Sequence, residues 1–213
     1  MSERADGGRF PLLAPDSLAD AQRTVYDAVA SPPRGDGPFL VVDDDGHLAG
    51  PFNALLYSPN IGLAVQALGT ALRFGGTLPG RTRELVICAV AAELNSDYEW
   101  YAHSRVALSV GVSSAELESV RSGRTPDAIG PGEQAALSLA IALLRDRVVG
   151  TEVHAAALEF HGHSGVVELA VLVGYYQTLA GLLTTADVFA PTDSIPQITR
   201  KTKHPTTSKG EHP

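Results

Sequence analysis

The chain has 213 residues, of which 44% are hydrophobic, and it carries a formal net charge of −8. This length is enough to bury one substantial core, so we expect one domain with short extensions. The negative charge argues against a nucleic-acid partner, which normally requires a basic face, and favours a small molecule or a protein.

The helices and their boundaries can be predicted from periodicity and from Gly and Pro, which stand at nearly every boundary. An all-α fold follows from this pattern. The predicted helices cover residues 18–30, a short segment that ends near 58, then 60–74, 79–94, 96–110, 114–122, 131–145, 151–160 and 166–189. The helix over 79–94 has apolar residues on more than one side, which predicts a central position.

One stretch near the N-terminus reads as strand. Residues 39–49 contain two short apolar segments around Asp45-Gly46, a pair that is typical of a β-hairpin turn. The triplet Asp43-Asp44-Asp45 is similar to a calcium loop, but Val41 stands where the EF-hand pattern needs an oxygen ligand. A solvated turn is therefore favoured over a metal site.

The domain limits follow from composition. Residues 1–15 are expected to be an extension and 16–190 a single domain. Residues 191–213 are rich in Thr, Pro, Ser, Lys and His and have no apolar periodicity, which predicts a flexible tail.

The expected environment is cytoplasmic. The longest apolar stretch, residues 169–183, is interrupted by polar residues and glycines and falls short of the about 20 residues of a membrane span. No apolar block follows the charged first residues, so no secretory signal is predicted. Cys88 is the single cysteine, so an intrachain disulfide is excluded, and its apolar neighbours predict an inert core position.

The residues that indicate chemistry lie between positions 81 and 103. Glu99 and His103 are four residues apart, so they share one helix face, and Glu84 lies one helix earlier. Two carboxylates and an imidazole on neighbouring helices indicate proton transfer. Arg81 and Arg83 are predicted to bind a substrate carboxylate, although pairing with Glu84 competes.

Four motifs in chain order resemble those of the carboxymuconolactone decarboxylases and their AhpD-like relatives. They are Gly-Pro-Phe-Asn at 50–53, Arg-Thr-Arg-Glu-Leu-Val-Ile at 81–87, Tyr-Glu-Trp-x-x-His at 98–103 and Leu-Val-Gly-Tyr-Tyr at 172–176. The resemblance covers about residues 50–190. It implies an all-α bundle that assembles as a homotrimer or homohexamer, with pockets near subunit contacts.

The redox branch of this family has a glutamate, two cysteines three residues apart and a histidine. The interval from Glu84 to His103 fits this pattern, but Ser96 and Glu99 stand at the cysteine positions. A thiol peroxidase needs a thiolate, so that activity is excluded. The chain instead resembles the thiol-free branch, whose decarboxylation of a lactone acid needs no metal or organic cofactor.

The resemblance implies a cofactor-free lyase or decarboxylase that acts on a small carboxylated lactone or oxo acid. His103 is the predicted proton donor, because the ordinary histidine pKa is about 6.5. Glu99 would orient His103 or act as a base, and Glu84 would support the hydrogen-bond network. The tyrosines predicted to shape the substrate pocket are Tyr98, Tyr175 and Tyr176.

Two alternatives remain open from the sequence. The same acid and base residues suit isomerisation, cyclisation or hydration. The chain can also be a non-catalytic oligomeric binding protein, in which Ser96 and Glu99 form only a capping box at the start of a helix.

Metal and hydrolase sites are disfavoured by spacing. The three histidines between positions 154 and 163 do not form a zinc-ligand pattern. The run Gly-His-Ser-Gly at 162–165 lacks the final glycine of a nucleophile elbow, because Val166 stands there.

Overall fold

The computed structural model describes residues 5–191, and most of the predicted tail lies outside them. Within this range the chain forms eight α-helices, as the periodicity predicts. They are α1 (Asp20–Ala30), α2 (Pro51–Leu55), α3 (Pro59–Thr70), α4 (Gly80–Leu94), α5 (Asp97–Ser109), α6 (Ser114–Arg121), α7 (Pro131–Ile141) and α8 (Thr151–Ala186). A 3₁₀ turn (Pro15–Ser17) precedes α1, and π-helical turns extend α3 (Ala71–Gly75) and α7 (Ala142–Asp146).

Helix α8 consists of two helical parts, close to the two helices that the sequence predicts over 151–160 and 166–189. Gly162, with φ 62° and ψ −179°, is not helical and makes a kink between the two parts. By length and composition α8 could cross a membrane, contrary to the sequence expectation. This is weak evidence, because the core helix of a soluble protein passes the same test, and α8 contacts α4 and α7.

The predicted β-hairpin at 39–49 is not formed. Val42 and Leu48 make an isolated antiparallel bridge and no strands. The carboxylate of Asp43 accepts hydrogen bonds from the backbone N–H groups of Asp45 and His47 at 3.0 and 2.7 Å, which folds this segment into a compact turn. Asp43 is buried, so the expectation of a solvated turn is also wrong for this residue.

Helix α4 is the centre of the bundle, as its apolar sides predict. All residues from 84 to 91 are buried, and α4 contacts α5, α6, α7 and α8. Cys88 lies in this core, where burial raises the pKa of its thiol well above the ordinary value. The helix ends at Asn95, whose left-handed conformation (φ 52°) reverses the chain, and α5 then packs back on α4.

Helix α5 lies between two apolar clusters. Trp100 and Ala107 belong to the main core with α4, α7 and α8. Tyr101, Ala102 and Val106 belong to a second cluster, which the N-terminal segment builds from α1, α2 and residues around 39–48. Polar side chains on α5 are therefore buried even though this helix is not central.

Gly50 allows the N-terminal segment to approach α5, and we expect its replacement by alanine to destabilise the protein strongly. Gly50 has φ 60°, and an added Cβ would lie 2.3 Å from the ring of Tyr98. Gly111 is the matched control, because its φ is 89° and no heavy atom lies within 4 Å of an added Cβ. Gly111→Ala should lose about 1 kcal/mol of unfolding free energy from backbone strain, and Gly50→Ala about 1–3 kcal/mol more from overpacking. Urea denaturation measures both losses, and equal losses would contradict the close packing.

Candidate active site

Glu84 and His103 form a buried hydrogen-bonded pair. The short turn between α4 and α5 brings the Nδ1 atom of His103 to 2.7 Å from Oε2 of Glu84, and both side chains are buried. Burial alone raises the pKa of Glu84, but attraction to His103 and their hydrogen bond outweigh it, and the pKa is lower than usual. Glu84 is therefore ionised, and the Nδ1–H of His103 donates to it.

Glu99 lies at the other side of the imidazole ring. Its Oε2 atom is 3.6 Å from Nε2 of His103, and its side chain is buried. Burial raises the pKa of Glu99 to about 8, although the charges of Arg73 and Arg34 oppose this rise. Glu99 therefore holds a proton at neutral pH.

The environment of His103 favours its neutral form. Burial lowers the pKa of His103, and attraction to Glu84 opposes this effect without overcoming it. The imidazole is neutral at pH 7, with its proton on Nδ1 and a lone pair on Nε2. Glu99 then carries a proton that it can donate, and Nε2 of His103 can accept a proton.

The capping box predicted from Ser96 and Glu99 is not formed. Ser96 is the N-cap of α5, but its side chain makes no capping hydrogen bond. The Glu99 side chain is directed towards His103 instead. The same motif does form a capping box at Ser113 and Glu116, where the Glu116 carboxylate accepts from the Ser113 N–H at 2.7 Å.

Two buried arginines, Arg34 and Arg73, complete the surroundings of Glu99 and were not predicted. They are 4% and 8% exposed. The Arg34 guanidinium lies 5.2 Å from the ring of Phe52, and that of Arg73 lies 5.8 Å from the ring of Phe39. Arg34 lies in an irregular connector where periodicity gives no signal, and Arg73 lies in the π-helical turn after α3, which changes the helical register.

Tyr175 and Tyr176, which were predicted to shape the substrate pocket, lie beside His103. The Tyr176 ring packs edge-on against the His103 ring with centroids 4.9 Å apart, and the Tyr175 ring packs on Tyr176 at 5.1 Å. The Tyr175 hydroxyl and the Arg34 guanidinium meet at Gly69, where an added Cβ would lie 2.2 Å from Tyr175 Oη and 3.0 Å from Arg34 Nη2.

Tyr98, in contrast, is a packing residue. Its hydroxyl donates to the carbonyl of Leu40 at 3.0 Å, and its ring joins a small cluster with Leu183 and Val188. Burial also raises its pKa, so the phenol is neutral.

Arg81 and Arg83 do not form the predicted carboxylate site. The Nε atom of Arg81 donates to Glu133 at 2.6 Å, and its other nitrogens bind Glu116 and the carbonyl of Gly111. Arg81 therefore ties the start of α4 to α6 and α7. Arg83 lies 3.3 Å from Oε1 of Glu84, which is the competing pairing that the sequence allowed.

Phe39 connects the site to a surface cleft. The cleft has a volume of about 500 Å³, and Phe39, Tyr101 and Arg105 contribute to its walls. The Phe39 ring centroid is also 6.1 Å from that of His103. Phe39 therefore lies between the cleft and the buried imidazole of His103.

Comparison with known proteins supports the fold and the family. The model of the carboxymuconolactone decarboxylase family matches residues 59–142, a segment that includes Arg73, Glu84, Glu99 and His103 but not Arg34. No curated protein gives a significant match to the chain.

Two solved structures illustrate the similarity in fold. The debrominase Bmp8, in a complex with 2,3,4-tribromopyrrole, has a TM-score of 0.67 and 16% identity, over 90% of this chain and 95% of that chain. An uncharacterized peroxidase-related protein from Ralstonia eutropha JMP134, described as an alkylhydroperoxidase AhpD core, has a TM-score of 0.69 and 18% identity, over 89% of this chain and 95% of that chain. At these identities the likeness concerns the fold alone. The chain therefore has an AhpD-like fold, and its residues 59–142 match the model of the carboxymuconolactone decarboxylase family, which its motifs resemble.

Proposed function

We propose that this protein is a cofactor-free lyase that decarboxylates a small carboxylated lactone or oxo acid by proton transfer. One observation carries the proposal: Glu84, His103 and Glu99 lie in a buried line, with contacts of 2.7 and 3.6 Å. This line holds a carboxylate, a neutral imidazole and a protonated carboxylic acid. General acid–base chemistry at neutral pH needs an acid and a base of this kind.

Decarboxylation breaks the bond between the substrate carbon and its carboxylate, and carbon dioxide leaves. The electron pair of that bond moves into the conjugated carbonyl or lactone of the substrate. Glu99 then gives its proton to the substrate carbon, so the substrate anion and one proton become product and carbon dioxide. The Glu99 carboxylate that remains is stabilised by Arg34 and Arg73, whose charges favour its ionised form.

His103 and Glu84 restore the acid. A proton from solvent can be accepted by Nε2 of His103 and passed to Glu99, while the Glu84 carboxylate stabilises the imidazolium through Nδ1. Thiol chemistry has no part in this mechanism. Cys88 is 0% exposed, and burial raises its pKa, so a reactive thiolate is disfavoured.

Isomerisation is the second candidate reaction. The lone pair on Nε2 of His103 and the proton on Glu99 form an adjacent base and acid, which suits removal of a proton from one carbon and its delivery to another. Both reactions use the same side chains and differ in whether carbon dioxide leaves.

Turnover should depend on the Glu99 carboxyl. We expect Glu99→Gln to lower kcat about 10²-fold or more, because proton transfer by a positioned group contributes about 10²–10⁴-fold. The measurement is carbon dioxide release and deuterium uptake in deuterated water, by mass spectrometry, over a panel of carboxylated lactones and oxo acids. Deuterium uptake without carbon dioxide would indicate isomerisation.

The matched control is Glu93→Gln. Glu93 lies on α4 and forms an ion pair with Arg145, away from the site. It should keep wild-type turnover. His103→Ala is a less clean variant, since it leaves the buried Glu84 without its partner and should also lower stability. Full activity of Glu99→Gln would refute the assigned role of Glu99.

Stability should depend on pH through Glu99. An unfolded glutamate loses its proton near its ordinary pKa of 4.5, and the folded protein keeps it up to about 8. Between these values the folded state holds one more proton, so this group lowers the unfolding free energy as the pH rises, by at most about 1.4 kcal/mol per pH unit. The glutamine of Glu99→Gln does not titrate, so the unfolding free energy of this variant does not fall with pH through this position.

We therefore expect the unfolding free energy of Glu99→Gln, relative to wild type, to increase by at least about 1 kcal/mol from pH 5.5 to pH 7.5. Above about pH 8 the difference should be constant. Urea denaturation at a series of pH values measures it. A difference that is flat from pH 5.5 to 8 would show that Glu99 has an ordinary pKa.

A further inference from the structure

Two buried guanidinium nitrogens of Arg34 and two of Arg73 make no well-formed hydrogen bond among residues 5–191, although the Arg34 guanidinium lies next to the Tyr175 hydroxyl. These atoms are Nε and Nη2 of Arg34 and Nε and Nη1 of Arg73. Each unmade hydrogen bond of a buried polar group costs about 1–3 kcal/mol, and more for a charged group. Native proteins rarely keep such groups without a functional reason.

The charges around these arginines do not balance. The facing titratable groups are Glu84, Glu99, His103, Tyr175 and Tyr176. Glu84 is ionised, Glu99 and His103 are neutral, and burial raises the pKa of both phenols. Arg83 lies 3.3 Å from Glu84, and its side chain is 16% exposed. The charge of Arg83 balances that of Glu84, so the positive charges of Arg34 and Arg73 are in excess, and a bound carboxylate would reduce this excess.

We propose that Arg34 and Arg73 together bind one carboxylate of the substrate, next to the acid Glu99. This inference rests on the proposed function for the identity of the ligand as a substrate. Four unpartnered N–H-bearing atoms on two guanidinium groups suit the oxygens of a carboxylate. The site replaces the Arg81 and Arg83 pair that the sequence favoured.

Other features suit this role. Gly69 leaves room where the Arg34 guanidinium meets the Tyr175 hydroxyl, and an alanine there would collide with both. Arg34 lies outside residues 59–142, so the connector after α1 contributes half of the site from beyond the family segment.

Binding of the carboxylate is coupled to the proton on Glu99. Arg34 and Arg73 both favour ionised Glu99. A bound carboxylate offsets their charges and repels a second negative charge nearby, so the bound state keeps Glu99 protonated. Affinity for the anion should fall as the pH rises above about 8, where Glu99 of the free protein ionises.

The test uses sodium malonate as the ligand, at constant ionic strength with chloride as the reference anion. The full-length wild type is compared with Arg34→Met, Arg73→Met and the surface control Arg121→Met, whose arginine pairs with Glu118 on its own helix. Calorimetry at pH 6.5 and pH 9 gives the affinity, and thermal melting without malonate gives the stability.

We expect one malonate per chain in wild type and Arg121→Met, and at least tenfold weaker binding in Arg34→Met and Arg73→Met. Binding to wild type should weaken at least tenfold at pH 9, and Glu99→Gln should lose this pH dependence.

Without malonate, Arg34→Met and Arg73→Met should each keep or raise the melting temperature, because each replaces a buried charge with an apolar side chain. Arg34→Gln and Arg73→Gln serve as a second pair and should show the same loss of affinity.

Three results would overturn the inference. The first is equal malonate binding by all variants, and the second is no binding by wild type. The third is a lower melting temperature of both methionine variants at pH 6.5, which would make the arginines structural. The outcome is separate from that of the proposed function. Turnover with an unchanged KM in Arg34→Met would refute the carboxylate site alone. Arginine-dependent malonate binding in a protein that releases no carbon dioxide would refute the decarboxylase alone.

Discussion

The burial of three ionisable side chains between α4 and α5 is the constraint on which the structure of the site depends. Removing an ion from water costs several kcal/mol even after the protein relaxes. Glu84 meets this cost through a 2.7 Å hydrogen bond to His103, and Glu99 avoids it by keeping its proton. The same burial thus produces both a base and an acid, and no metal or organic cofactor is required for the chemistry proposed for them.

The N-terminal segment makes this burial possible. Helices α1 and α2 and the turn around Asp43 cover the side of α5 that the main core leaves open, and Arg34 and Phe39 reach the site from the same segment. The segment that matches the family model contains Glu84, Glu99 and His103, to which we assign proton transfer, while the N-terminal segment covers them and contributes Arg34. Burying a charged group costs free energy, so we expect Arg34 and Arg73 to be retained for a function and not for stability.

The sequence predicts the helices well because Gly, Pro and apolar spacing are local signals. It also places Glu84, Glu99 and His103 together, since helix periodicity and the interval along the chain suffice for that. It does not predict Arg34 or Arg73, whose positions depend on an irregular connector and a π-helical turn. The sequence also does not decide whether Glu99 caps α5 or contacts His103. The Ser-x-x-Glu motif is the same in both cases, and the tertiary contact that decides between them is not a local signal.

The protonation state of Glu99 is the most direct test of this description. Infrared spectra of wild type and of Glu99→Gln are recorded from pH 5 to pH 9.5. Subtracting the spectrum of the variant from that of wild type isolates the C=O stretching band of the Glu99 carboxylic acid. We predict that the band persists at pH 7 and disappears with a midpoint near the pKa of about 8. A band that is already lost between pH 5 and 6 would show an ionised Glu99 and would contradict its role as the acid.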